Sequence, residues 1–329
     1  MTPLRLLVTS AGSAPAVAVI KALRQQSRYS VEIGTVDAQE RSVGKLLADR
    51  FDLVPHAADP TFVPHLMDLC VTHGVQYVFP IIDEELPVWA AARDRFAAAG
   101  VTVFANPVQC VELANDKLST ASHCLAHGIP HPRCYDSAEA RALSFEAFPL
   151  FAKPRFGRGS VGAKRIENPG ELNDFLRRHP DGLVQELLAG VELTVDVLVS
   201  AEGELLAAVP KERLEVKAGM ATKSITRPGA EVLPLVRKVV ADFGIRGAAN
   251  VQLMGTGGRW SLIEVNPKFA ASLPLTVAAG VNLPLHLLEL ARAEFAHPTP
   301  LPFTQDLLML RRWEEHFVRE GPRSSAGAV

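Results

Sequence analysis

Short apolar runs, broken by glycine, proline and acidic turns, mark the first hundred positions of the chain. The run over 4–8 predicts a buried strand, the Ala- and Val-rich stretch from 14 to 24 a helix, and the run over 31–36 a second strand ending at Asp37. Strand, small-residue turn, helix and strand ending in an acid make up a Rossmann-like βαβ unit. Its turn, Thr9-Ser10-Ala11-Gly12-Ser13-Ala14, lacks GxGxxG, so no dinucleotide site is read there. A helix over 61–73 and a strand over 77–82 follow, and the strand delivers Asp83-Glu84-Glu85 at its C-terminal end. Ligands of open α/β sheets sit at that edge, so these acids face a substrate; equally, they cap a helix that starts at Leu86-Pro87. A strand over 101–104 closes this unit near Pro107.

The middle of the chain alternates differently. Asn115-Asp116-Lys117 opens a helix that runs to His127 and is broken by Gly128-Ile129-Pro130. An apolar strand then ends in Lys153, and a loop with Gly157, Arg158, Gly159, Ser160 and Gly162 leads to a strand over 163–166. Glycines let backbone N–H groups approach phosphate oxygens while Lys and Arg neutralise them, although an ordinary mobile turn carries the same glycines. A helix over 169–178, strands over 183–186, 193–199 and 205–209, a basic polar stretch over 211–223 and a helix over 231–243 complete this part.

The most informative alternation lies at 250–253 and 262–266, on either side of Gly255-Thr256-Gly257-Gly258. It predicts a β-hairpin with Gln252 opposite Glu264 and Asn250 opposite Asn266. Val251, Leu253, Ile263 and Val265 then share one face, and the four oxygen-bearing side chains share the other. One carboxylate among amide oxygens, without thiolate or imidazole, is the hard-oxygen set that magnesium shares with phosphate. A half-solvated hairpin with a merely polar outer face fits the alternation too.

The 329 residues are enough for two or three domains, and a net charge of −2 without a basic run gives no sign of a nucleic-acid or membrane partner. The sequence shows no signal peptide, and its four cysteines lack metal spacing, which fits reduced thiols in the cytoplasm. His297-Pro298-Thr299-Pro300-Leu301-Pro302 reads as a linker before a helix over 306–319, with Trp313 and Phe317 as packing residues. A homodimer contact at that helix is left open, and 321–329 reads as a frayed tail.

Lys117, Lys153-Pro154, the glycine loop, Gln185-Glu186, Gly190, Glu192, Asp196, Asn250 with Gln252, and Glu264-x-Asn266-Pro267 occur in the order seen in ATP-grasp enzymes. Over roughly 4–295 the chain resembles the carbamoyl phosphate synthase large-subunit-like branch, which includes stand-alone amino-acid ligases. The resemblance implies an α/β (α+β) fold: a Rossmann-like domain (1–108), a linker helix and lid subdomain (109–186), an antiparallel metal and ATP domain (187–296), and a linker with terminal helix and tail (297–329). It implies that Lys117 and Lys153 meet ATP phosphates or the adenine edge, that Arg158, Gly159 and Ser160 belong to the loop that closes on the phosphates, that the backbone of Glu186 to Leu188 is the hinge that meets adenine, and that Gln185 is also a nucleotide-binding residue. Glu192 takes the ribose, and Gln252, Glu264 and Asn266 hold one or two Mg²⁺, with Mn²⁺ as a substitute. The family carries Arg where this chain has Lys268, and a more glycine-rich run where it has Phe269-Ala270-Ala271-Ser272.

The implied activity is a ligase that phosphorylates a carboxylate for attack by an amine, both small-molecule substrates. Lys268, Arg213 and Lys223 are candidates to hold the carboxylate or the transferred phosphate, with solvated surface charge the alternative for Arg213 and Lys223. Carbamoyl-phosphate-like chemistry on bicarbonate or carbamate, and an ATP-binding module without turnover, are the other readings.

Overall fold

The computed structural model describes residues 2–157, 159, 161–312 and 314–319. The N-terminal part runs β1 (Leu4–Val8), α1 (Ala14–Gln25), β2 (Val31–Asp37), β3 (Arg50–Leu53), α2 (Phe62–His73), β4 (Tyr77–Phe79), α3 (Leu86–Ala98) and β5 (Thr102–Val103). Its strands form a parallel sheet in the order β3-β2-β1-β4-β5. Helices cover both faces, so Leu6, Leu7, Val8, Ile33 and Val78 are buried along continuous apolar strands. The strand β3 carries no apolar run: Arg50 and Asp52 pair on its surface, and the sequence pattern gives no sign of it.

The acid triplet after β4 divides three ways. Glu85 is buried and its carboxylate accepts from the Ile81 and Ile82 N–H groups, Ser10 Oγ and Trp89 Nε1 and from the Thr9 hydroxyl. Burial pushes this carboxyl up, and these donors oppose the shift. Glu85 makes no side-chain cap bond at the N-terminus of α3, and it borders the cavity that Glu84 also lines. Glu84 lines a cavity at the tips of β1 and β2, and Asp83 points toward the rest of the chain.

Helices α4 (Val108–Asn115) and α5 (Lys117–Ala126) lead through β6 (Cys134–Tyr135), α6 (Ser137–Arg141), β7 (Leu150–Lys153), β8 (Lys164–Ile166) and α7 (Pro169–Arg178) to β9 (Leu183–Glu186). Their strands form an antiparallel sheet, β6-β9-β7-β8. Asp116 caps α5 through the Leu118 and Ser119 N–H groups and grips Arg155 at 2.5 and 2.9 Å. That guanidinium holds the Asp116 carboxyl down at about 2.

The largest sheet comprises β10 (Val191–Val199), β11 (Leu205–Lys217), β12 (Met220–Thr226), then after α8 (Leu233–Asp242) β13 (Gly247–Thr256) and β14 (Arg259–Asn266), and after α9 (Leu273–Ala278) and α10 (Leu283–Ala291) β15 (Leu308–Leu310). Its order is β14-β13-β10-β11-β12-β15, antiparallel throughout. Two expectations change here. The stretch over 211–223 is a long β-ribbon, because Leu214 and Val216 continue the alternation of β11 between the charges. The helix expected over 306–319 is absent among the described residues. Leu308–Leu310 instead pairs with Lys223–Ile225, and the apolar spacing at 307, 308 and 310 fits either period. Trp313 lies outside the described residues, and Phe317 is 95% exposed, so it packs against nothing in the core.

The centre of this sheet is ionic. Lys211 on β11 and Asp196 on β10 are 0% and 1% exposed, 2.5 Å apart, and both bond Thr276 of α9. Asn250 on β13 donates to the other Asp196 oxygen at 2.9 Å and to Thr194 Oγ1 at 2.5 Å. Removing one partner of such a pair leaves an uncompensated buried charge. Lys211→Met is expected to lower stability by about 3–5 kcal/mol, read from urea midpoints at constant m-value. Lys211→Met with Asp196→Leu should lose less than the sum of the two single changes.

Candidate functional site

The glycine turn brings β13 and β14 together with Gln252 opposite Glu264 and Asn250 opposite Asn266. One β-bulge follows: beyond Gln252 the partner of Leu253 is Leu262, leaving Ile263 as the extra residue. The core accordingly takes Val251, Leu253, Leu262 and Val265. Ile263, expected on that apolar face, turns to a cavity instead and offers its carbonyl to Lys153 Nζ at 3.3 Å.

Two cavities meet at this hairpin. One of about 300 Å³ lies between β7, the glycine loop, the segment after β9 and the hairpin, lined by Lys117, Lys153, Gln185, Leu187, Leu188 and Glu192 with the apolar Phe156, Val216, Met254 and Ile263. The other, about 310 Å³, opens toward the parallel sheet and is lined by Asp83, Asn250, Asn266, Lys268 and the loop Phe269–Ser272. Gly159, Arg213, Gln252 and Glu264 line both. Of the sequence candidates, the structure thus gathers the hairpin oxygens, the four cations Lys117, Lys153, Arg213 and Lys268 and the 187–188 segment around two adjoining cavities.

Each cation is held differently. Lys153, at the end of β7, is buried, and burial pushes its ammonium down while Glu264 draws it back up. Lys117 Nζ donates to the Gly157 carbonyl at 2.8 Å, tying α5 to the glycine loop. Arg213 pairs with Glu192 and donates to the Gly219 carbonyl at 2.9 Å. Gly219 sits at the ribbon tip with φ 74°, and a Cβ there would come within 2.7 Å of the Gly159 Cα. Glycine at 219 is what allows the loop and ribbon to touch, and Gly159, with φ 63°, takes a left-handed backbone.

Other candidates lie elsewhere. The Glu186 side chain accepts through Oε1 from the Arg133 N–H at 2.9 Å, pinning β9 to the segment before β6, while its backbone, the part expected to meet adenine, lies between Gln185 and Leu187 of the cavity wall. Lys223 pairs with Glu215 at 2.8 Å on the exposed side of β12 and lines neither cavity; it holds the Glu215 carboxyl down at about 2. Arg158 and Ser160 lie outside the described residues. Lys268 forms an ion pair with Asp83 across the second cavity, which sequence reasoning did not anticipate. The apolar walls were equally unforeseen, since isolated Phe, Val and Met carry no motif.

The donor set fits a magnesium-bound nucleotide. Amide and carboxylate oxygens of Gln252, Glu264 and Asn266 suit a hard cation, cations with short tethers suit phosphates, and the apolar slab suits a base.

Two family models match the chain: PylC-like, N-terminal domain, over 6–104, and ATP-grasp in the biosynthetic pathway with Ter operon, over 178–313. The chain belongs to the ATP-grasp superfamily. The chain is 28% identical over 239 residues to the carbamoyl phosphate synthase large chain of Deinococcus radiodurans, and 28% over 209 residues to that of Thermus thermophilus. These alignments cover 63% and 57% of this chain, which spans 23% and 20% of those relatives' length. Among solved structures, the biotin carboxylase domain of Hydrogenobacter thermophilus 2-oxoglutarate carboxylase, in complex with MgADP and bicarbonate, matches with TM-score 0.73 and 16% identity, over 92% of this chain and 73% of that one. L-amino acid ligase from Bacillus licheniformis matches at 0.68 and 17%, over 90% and 77%. At such identities these likenesses establish the fold. No helix among the described residues is long and apolar enough to cross a membrane.

Cys134 on β6 lines a small recess behind Lys153 and Glu264. Burial pushes its thiol up to about 11, and the buried Cys70, Cys110 and Cys124 up to about 12. The thiolate is the reactive form, so alkylation of Cys134 by iodoacetamide should rise about tenfold per pH unit from 7 to 10. Peptide mass spectrometry should find it modified before the other three.

Proposed function

We propose that the chain is an ATP-dependent ligase that activates a carboxylate as an acyl phosphate for attack by an amine. What supports this reading above all is the placement of Glu264 beside Gln252 on the wall shared by the two cavities, with Lys153 buried behind it. One cavity has the size and lining for a nucleotide, and the other, on the far side of that wall, offers room for an acceptor. We read the chain as divided at 108 and 186, which the three sheets support, and at 296, although β15 beyond that point joins the large sheet.

In the proposed reaction a carboxylate oxygen attacks the terminal phosphorus and the bond to ADP breaks. The amine then attacks the acyl carbon, and inorganic phosphate leaves as the amine gives up a proton. Gln252, Glu264 and Asn266 would hold magnesium, which would supply neutralisation of phosphate charge. Lys117, Lys153 and Arg213 counter the charge of the phosphate tail by position. Leu187 and Leu188 flank the base, Gln185 reaches its polar edge, and Glu192 serves the ribose. Gly159, with Arg158 and Ser160, belongs to the loop that covers the phosphates.

Phosphate release from MgATP, measured across single amino acids and amino-acid pairs, tests the proposal. One pair is expected to stimulate turnover, and Glu264→Ala should reduce it by about 10²-fold or more. Stimulation by bicarbonate alone would instead favour the carbamoyl-phosphate-like reaction, and nucleotide binding without stimulation by any compound would favour a non-catalytic module.

A further inference from the structure

The second cavity contains a charge arrangement that the motifs do not explain. Asp83 follows β4 of the parallel sheet, Lys268 follows β14 of the antiparallel sheet, and the two side chains meet with only 20% and 13% of their surface exposed. Their ion pair is the charged feature on the parallel-sheet side of a cavity of about 310 Å³. Lys268 lies two residues beyond Asn266, and its backbone N–H donates to the Asn266 carbonyl at 2.7 Å, which ties the segment that carries the ammonium to the hairpin, whereas Asp83 comes from the parallel-sheet side.

From this geometry we infer that Asp83 and Lys268 form a recognition pair for the zwitterion of an α-amino acid, bound with its carboxylate at Lys268 and its ammonium at Asp83. A close, partly buried ion pair is a dipole, and its best complement is a second pair of opposite charges at the same short separation, laid antiparallel to it. An α-amino acid has that separation. A simple carboxylate or amine meets one of the two charges and brings an uncompensated charge into a poorly solvated place. A long ω-amino acid cannot place both its charges on the pair. The orientation also gives the ligand a role. The carboxylate faces the hairpin where it would be phosphorylated, and the amino group is tied to the opposite side, so the amino acid is the acyl donor and the attacking amine belongs to the other substrate. This assignment of roles rests on the ligase reading above; the recognition of the zwitterion rests on the pair and the cavity.

Calorimetric titration with each of the twenty L-α-amino acids, with MgADP present and again without nucleotide, tests the inference. For the tightest binder, its deamino acid, its decarboxylated amine and its ω-amino isomer are titrated in parallel. Each is expected to bind at least about tenfold more weakly, a difference of about 1.4 kcal/mol. Asp83→Asn should abolish discrimination against the deamino acid while preserving that against the amine, and Lys268→Gln should do the reverse. Asp83→Glu should recover part of the discrimination, which a general loss of structure would not allow, and MgADP affinity should stay within about twofold in all three variants. The inference is overturned if the deamino acid binds as well as the amino acid, if Asp83→Asn binds like the unaltered protein, or if no amino acid binds while MgADP does. Failure of the unaltered protein to bind MgADP would overturn the ligase reading instead, with zwitterion recognition still read from the titration without nucleotide.

Discussion

The buried contact between Lys211 and Asp196 governs how the large sheet presents its site. Ammonium and carboxylate lie 2.5 Å apart with almost no exposed surface. Such a pair is tolerated only where further hydrogen bonds satisfy its remaining valences. Thr276 and the Ser272 carbonyl complete the ammonium, and Asn250 and Thr276 complete the carboxylate. The network therefore joins β10, β11 and β13 to α9, so none of these elements can shift alone. Ser272 belongs to the loop that walls the second cavity, which carries the same constraint from the core to the site.

From that anchor the hairpin inherits its orientation. Asn250 is held by Asp196 and Thr194 and faces Asn266 across the ladder, which sets the rotation of β13 about its axis. Alternation then fixes Gln252 and Glu264 on the same face. The bulge at Ile263 disturbs this alternation beyond Glu264, so the residues nearer the turn return to the core without disturbing the oxygen pair. Glu264 is the carboxylate that draws the buried Lys153 ammonium back toward its charged form. The sheet that carries β7 and the large sheet are thus coupled electrostatically.

Much of this was legible in sequence because it depends on period and turn chemistry. The Gln252–Glu264 and Asn250–Asn266 pairings follow from two alternating runs about a glycine turn, and the βαβ opening from an apolar run, small residues and an acid. Residues whose place depends on distant neighbours were not legible. Glu85 sits beside Asp83 and Glu84 in sequence, yet only the fold decides that it is buried among backbone N–H groups while Asp83 crosses to Lys268. Ile263 obeys the strand period and breaks it because of a bulge that no residue type announces. The segment over 306–319 reads as a helix in sequence because the apolar positions at 307, 308 and 310 fit a helix and a strand alike, and pairing of Leu308–Leu310 with β12 decides between them.

The departure at Lys268 can be understood in the same terms. A guanidinium in that position presents a planar fork to a carboxylate or phosphate, and it holds that geometry through two parallel bonds. An ammonium is a compact charge on a flexible stem, so its direction must be supplied by a neighbour. Asp83 supplies it from a different sheet, which places one wall of the cavity under the control of the parallel domain. Any displacement between the two sheets must then stretch a partly buried ion pair or find it a substitute. The same contact that orients Lys268 thereby ties acceptor geometry to the way the N-terminal domain sits against the hairpin.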